Sequence, residues 1–299
     1  MTDPDFRCGY AAIVGRPNVG KSTLQNALIG EKLSIVTPRP QTTRHRILGI
    51  DNRDDAQIVY VDTPGLHRDG KRALNRAMNR AAAGSLPDAD LILFVVEAMR
   101  FEPEDEDVLA RAQASGRPII AVINKIDRVR PKERLLPYVA SLAERADFAE
   151  VIPVSAQRGE NLERLRALVR DRLPAGPPLF EQDRVSDRGD RFRYAEVIRE
   201  KLMIHLRDEL PYGLTVEVER IEDDGDLRRV AAVVWVERDG QKAIVIGRGG
   251  KQLKTCGSQA RRDLERLAGR KVHLELWVRV RENWADSDRE LRRLGHDLE

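Results

Sequence analysis

Gly15-Arg16-Pro17-Asn18-Val19-Gly20-Lys21-Ser22, GRPNVGKS, follows the apolar run YAAIV (10 to 14) directly and opens a helix. The stretch fits GxxxxGKS at a strand-to-helix turn, the context in which a glycine-rich loop cradles phosphates. Glycines let successive backbone N–H groups curl around α and β phosphates. Lys21 sets a point charge between β and γ, and the Ser22 hydroxyl can ligate Mg²⁺. Thr23 closes the loop's lining.

Further apolar, β-rich runs follow: QIVYV (57 to 61), LILFVV (91 to 96), PIIAVI (118 to 123) and EVIPV (150 to 154). Stretches with helical spacing separate them at 71 to 84, 104 to 114, 131 to 146 and 159 to 172. The alternation predicts an α/β domain built on a mostly parallel sheet, with ligands at the carboxyl ends of the strands.

The remaining motifs fall at those ends. Asp62-Thr63-Pro64-Gly65 is a DxxG, in which Asp62 can hold the Mg²⁺ shell and the Gly65 amide can sense a γ phosphate. Asn124-Lys125-Ile126-Asp127 is an NKxD. Its Asp127 can accept both the N1–H and the exocyclic amine of guanine; adenine offers no donor at N1 and would strand the carboxylate. Asn124 is expected to brace neighbouring loops and the stem of Lys125 to cover the base. Ser155-Ala156 supplies a backbone N–H, at Ala156, for the guanine O6. Between Ala27 and Ile47, PRPQTTRHR offers Thr42 and Thr43 to complete the Mg²⁺ shell; Thr43, the residue just before an arginine, resembles the matching threonine of related GTPases with this P-loop and is favoured on that ground. The position after DxxG is Leu66, which cannot orient water by a hydrogen bond, so slow intrinsic turnover is expected. His67 reads as a solvent-facing loop residue. The predicted catalytic set is Asn18, Lys21, Thr43, Asp62 and Gly65.

A break at PAGPPLFEQDRVSDRGD separates this domain, 1–174, from a second, 191–299, through a linker at 175–190. The second part reads helix, two alternating strands, helix, strand and a last short helix, a small α+β domain. Between positions 242 and 271 nine cationic residues face only Asp263 and Glu265, a local charge of +7 in a chain whose net charge is +3. Within that patch Gly247-Arg248-Gly249-Gly250 is a GxxG between an apolar run and a helix. In KH domains such a loop lets backbone N–H groups and a basic side chain approach about four unpaired nucleotides. Gly247, Arg248, Gly249, Gly250, Lys251 and Lys254 are the predicted RNA contacts, and the element order resembles a type II KH domain.

Composition narrows the class. With 41% hydrophobic and 34% charged residues, and no long apolar run, the chain reads as a globular protein without a membrane span. Its acidic start does not fit a secretory signal, and only Cys8 and Cys256 occur, so a reducing cytoplasm is expected.

The order P-loop, DxxG, NKxD, SA, together with QTTRHR, DTPGLH, ELPYGLTVEVE and HLELWVRV, resembles the Era family of P-loop GTPases with a C-terminal KH domain. The resemblance covers both domains. It implies GTP hydrolysis, binding of the single-stranded 3′ end of 16S ribosomal RNA and action in 30S subunit assembly. It also implies peripheral inner-membrane contact and no DNA partner. Related GxPNVGKS loops hold K⁺ beside the phosphates through the asparagine that Asn18 matches, so Mg²⁺ and K⁺ are the implied cofactors. The alternative is an RNA-binding assembly protein whose nucleotide pocket is a clamp with negligible turnover.

Overall fold

The structure is a computed structural model that describes residues 5–64, 72–84, 88–208 and 210–294. The chain runs β1 Arg7–Val14, α1 Lys21–Ile29, β2 Ile47–Asn52, β3 Ala56–Asp62, α2 Ala73–Gly84, β4 Leu91–Glu97, α3 Pro103–Ala114, β5 Ile119–Asn124, α4 Leu135–Ala143, β6 Glu150–Pro153 and α5 Leu162–Arg170. These form a six-stranded sheet in the order β2-β3-β1-β4-β5-β6. All pairings are parallel except β2 with β3, which is antiparallel. One apolar layer, with Leu24, Leu28, Leu165 and Val169, covers one face of the sheet, and a second, with Val108, Leu109 and Leu142, covers the other. Strands buried on both faces explain why they read as unbroken apolar runs. Strand order reverses at β1, so the loop after it opens at the crevice where such sheets bind ligands.

The second unit follows as α6 Asp190–His205, β7 Leu214–Asp224, β8 Leu227–Val236, α7 Asp239–Ile246, α8 Lys251–Ala268, β9 Lys271–Val280 and α9 Asp288–Arg293. β7 pairs antiparallel with β8, and β9 lies parallel on its other side. The α-β-β-α-α-β order is that of a type II KH domain. Val230 to Val236 of β8 are all buried, although alternation in the sequence predicts one exposed face. β8 is the central strand, and long side chains from its neighbours lie over it: Glu217 accepts from Trp235 Nε1 at 2.8 Å, and the Arg281 guanidinium sits 4.5 Å from the Trp235 ring centre.

The stretch around the linker expected at 175–190 is docked on the first sheet. Gln57 Oε1 accepts from the N–H groups of Leu179 (2.8 Å) and Phe180 (2.9 Å), Ile50 N–H donates to Val185 O (3.0 Å), and Leu48 N–H to Asp187 Oδ1 (3.0 Å). The segment thereby covers β2, whose free edge would otherwise be exposed for pairing. A small cluster joins the two units: Ala73, Leu74 and Met78 of α2 pack with Trp284, Ala285 and Leu291. Cys8 and Cys256 are both buried free thiols. Among the described residues no helix is long and apolar enough to cross a membrane.

Candidate functional site

β1 hands the chain to the loop 15–20 at its carboxyl end. Gly20, with φ 101°, adopts a backbone conformation other residues resist and starts α1 without a side-chain cap or an acidic first turn. The uncapped N–H groups are free for an anion. Lys21 is buried and curls over its own loop, donating to the carbonyls of Gly15 (2.8 Å) and Arg16 (3.0 Å). Burial, partly offset by Asp62, lowers its ammonium pKa to about 8. A polyphosphate against it would favour the charged form and raise the pKa again. The Arg16 side chain turns away to Asp105 (2.9 Å) at the start of α3, and Val19 is in the core. Pro17, Asn18 and Thr23 line the pocket.

Three oxygen donors converge below the loop. Ser22 Oγ lies 2.8 Å from both Thr43 Oγ1 and Asp62 Oδ2, and Thr43 Oγ1 lies 3.4 Å from that same oxygen. Asp62 is fully buried and its Oδ1 has no hydrogen-bond partner. Burial raises its carboxyl pKa, against the pull of Lys21. A buried carboxylate oxygen left open beside two hydroxyls matches the hard oxygen ligands Mg²⁺ takes, with most of its shell left to phosphate and water. Thr42 is turned elsewhere: its hydroxyl bonds Thr37 Oγ1 (2.6 Å) and Arg39 O (2.7 Å). Geometry thus separates the two threonines that the sequence left side by side. Thr63 points inward and donates to Ile13 O at 3.0 Å, and Pro64 is buried beside it. Gly65, Leu66 and His67 lie outside the described residues.

At the far end of the same cavity, about 890 Å³ in volume, lie Asn124, Lys125, Asp127 and Ala156. Ser155 Oγ donates to Asp127 Oδ1 at 2.6 Å, which orients the carboxylate. Asn124 braces three loops: Nδ2 donates to Val19 O (3.0 Å), while Oδ1 accepts from Lys125 N (2.8 Å) and Ala156 N (3.0 Å). The Ala156 N–H that the sequence assigns to a base is therefore shared with Asn124. Lys125 Nζ reaches back to Asn18 O (2.6 Å) and Glu97 (2.8 Å), stretching its stem across the pocket floor. Asn18 has a left-handed backbone, φ 64°, and an exposed side chain. Glu97, Arg100, Arg128 and Gln157 also line this cavity, and no local motif marked them.

In the second unit Gly247, Gly249 and Gly250 all have positive φ, 71°, 60° and 74°, and carry the chain from α7 into α8. Arg248 and Lys251 are exposed beside them. Beyond the loop a groove of about 380 Å³ runs between α8 and β9, lined by Gly250, Leu253, Lys254, Gly257, Ser258 and Arg261 on the helix and Leu274 and Leu276 on the strand. A Cβ at Gly257 would stand 3.2 Å from Leu276 Cδ1, so this glycine sets how closely helix and strand approach. The helix stripe at spacings of three and four is the signal that could have found the groove.

A family model described as a 50S ribosome-binding GTPase matches residues 10–125, and a KH-domain model matches 209–285. The chain is 54% identical over 293 residues to GTPase Era of Stenotrophomonas maltophilia (strain K279a), covering 97% of each. It is 49% identical to GTPase Era of Histophilus somni (strain 129Pt), covering 99% of each. Two solved structures superpose with a TM-score of 0.94 at 38% identity, over 98% of this chain and 100% of theirs. One is a substituted Aquifex aeolicus Era bound to GDP·AlF4⁻; the other is Era in complex with MgGDPNP and nucleotides 1506–1542 of 16S ribosomal RNA.

Proposed function

The chain belongs to the Era family of GTPases, and from that premise we propose that it is a GTP-hydrolysing switch protein that itself binds the unpaired 3′ end of 16S ribosomal RNA and acts in 30S subunit assembly. The observation that carries the reading is the pairing, in one chain, of two sites. Ser22, Thr43 and Asp62 converge beneath a phosphate loop that shares its cavity with Asp127, and a GxxG loop heads a groove with apolar walls and a basic rim.

In this reading residues 1–174 form the GTPase domain, 175–190 the linker and 191–299 the KH domain. Asp127, held by Ser155, accepts the two N–H donors of guanine. Lys21 and the loop N–H groups neutralise the phosphates. Ser22, Thr43 and Asp62 hold Mg²⁺, which when bound neutralises charge shared by the β and γ phosphates; the open Asp62 oxygen supports this set. Gly65 senses the γ phosphate. A K⁺ ion at the exposed Asn18 supplies a further positive charge there. In the second domain Arg248, Lys251 and Lys254 take phosphates, and Leu253, Leu274 and Leu276 give bases an apolar wall. A cytoplasmic location, with contact to the 30S subunit and peripheral contact to the inner membrane, belongs to the same proposal and is supported by family resemblance.

Crosslinking the chain to total RNA and sequencing the fragments tests the RNA half: reads should pile up at the 16S 3′ end, and an even spread over ribosomal RNA would contradict it. Phosphate release from GTP, measured beside Lys21→Ala, tests the other half. Equal release from both would leave a nucleotide clamp.

A further inference from the structure

The second domain grips the loop that presents Thr43. On one side of Thr43, the Thr42 carbonyl accepts a hydrogen bond from Nη2 of Arg199 on α6. On the other, the Arg44 guanidinium donates to the carbonyls of Leu214 (2.7 Å), Pro211 (3.0 Å) and Tyr212 (3.1 Å). Earlier in the loop, Glu200 accepts from the Val36 N–H (3.0 Å) and the Lys32 ammonium (2.6 Å), and Arg39 donates to Leu206 O.

Arg199 is the fixed point of this grip. It is 2% exposed, and its guanidinium meets both oxygens of Glu196 at 2.6 Å, a bidentate pair that locks its orientation. Moving it would strand a buried carboxylate, so the donor aimed at Thr42 is rigid. Among the described residues the Thr43 hydroxyl bonds Ser22 and, at longer range, Asp62. A ligand on a loop contributes fully only when its approach is ordered in advance.

We propose that Arg199, braced by Glu196, is a positioning residue for GTP hydrolysis, holding the Thr43 hydroxyl beside Ser22 and Asp62 through the Thr42 carbonyl. The inference rests on reading Thr43 as a Mg²⁺ ligand when the γ phosphate is present. Arg199 joins no reacting bond: water attacks the γ phosphorus, the bond to the bridging oxygen breaks, and GDP leaves with that electron pair.

The test uses the full-length chain and follows GTP turnover across a Mg²⁺ titration for Thr43→Ala, Arg199→Ala, Arg199→Lys, Glu196→Gln and the double variant Arg199→Ala with Thr43→Ala. Thr43→Ala should raise the Mg²⁺ needed for half-maximal turnover, and Arg199→Ala should raise it by about tenfold. Arg199→Lys should recover part of the loss, the double variant should be no worse than Thr43→Ala, and GDP affinity should stay within about twofold of the parent. A shift in Thr43→Ala with none in Arg199→Ala, or additive losses in the double variant, would overturn the inference while leaving the Thr43 reading intact. An unchanged Mg²⁺ response in Thr43→Ala would remove the reading itself and the inference with it. If Arg199→Ala does not fold, Glu196→Gln and Arg199→Lys carry the same comparison, with a thermal melt on each sample.

Discussion

In the phosphate loop a Cβ added to Gly20 would stand 2.5 Å from Asn124 Nδ2, whereas one added to Gly249 or Gly250 of the GxxG loop would meet nothing within 4 Å. Asn124 cannot retreat, because its amide is tied to Val19 O, Lys125 N and Ala156 N. The glycines of the first loop are thus required by the packing of the domain around them. In the second loop Gly249 and Gly250 are required by backbone conformation and by whatever approaches from outside, while Gly247, whose Cβ would stand 2.5 Å from Gln252 Cβ, is packed against the start of α8. A nucleotide site built into a core and an RNA site built on a surface should fail in different ways when altered.

The largest effect is expected at the base-reading end of the buried site. Asp127→Asn should weaken GTP binding by at least about a hundredfold and favour xanthosine triphosphate, whose C2 carbonyl complements an amide. Competition binding decides this, and an unchanged GTP preference would mean that Asp127 does not read the base.

The glycines come next. Gly20→Ala must displace a triply bonded side chain at φ 101° and should cost about 3 kcal/mol of stability, together with nucleotide binding. Gly249→Ala, at φ 60° and in open space, should cost only about 1 kcal/mol. Chemical denaturation of the two variants gives the difference, and equal losses would erase the contrast between core-built and surface-built loops.

Much of the nucleotide site was legible because its motifs are local and each sits at a strand end that periodicity located. The sequence favoured Thr43 over Thr42; in the fold the Thr43 hydroxyl meets Ser22 and that of Thr42 turns to Arg39 O. The docked linker was not legible: Gln57 binds Phe180 across more than a hundred residues, and proline-rich composition alone reads as a tether. The same holds for Arg199 and Arg44, whose partners lie in the other domain. The RNA groove was half legible, its glycine loop by motif but its Leu253 and Leu276 walls only after α8 and β9 were brought together.

A smaller effect is expected at Asn18, a nucleotide-loop residue with a left-handed backbone and an exposed side chain. Replacing Na⁺ by K⁺ at constant ionic strength should raise turnover by about tenfold, the scale of one added charge at the phosphates, and Asn18→Ala should remove most of that rise. Equal rates in the two salts would end the cation proposal.

The claim that one chain carries two separable sites is tested most directly by Arg248→Asp combined with Gly249→Asp. These changes set two carboxylates where a phosphate backbone must pass, and a side chain at 249 has open space around it. Filter binding of a single-stranded 16S 3′-end oligonucleotide is measured for parent and variant, with intrinsic GTP turnover and a thermal melt on the same samples. The account predicts lost RNA binding with turnover and melting temperature close to the parent's, and a parental log–log salt slope of roughly −3 for about four phosphate contacts. Unchanged RNA affinity in a folded, GTP-competent variant would contradict it and leave the GxxG as a turn.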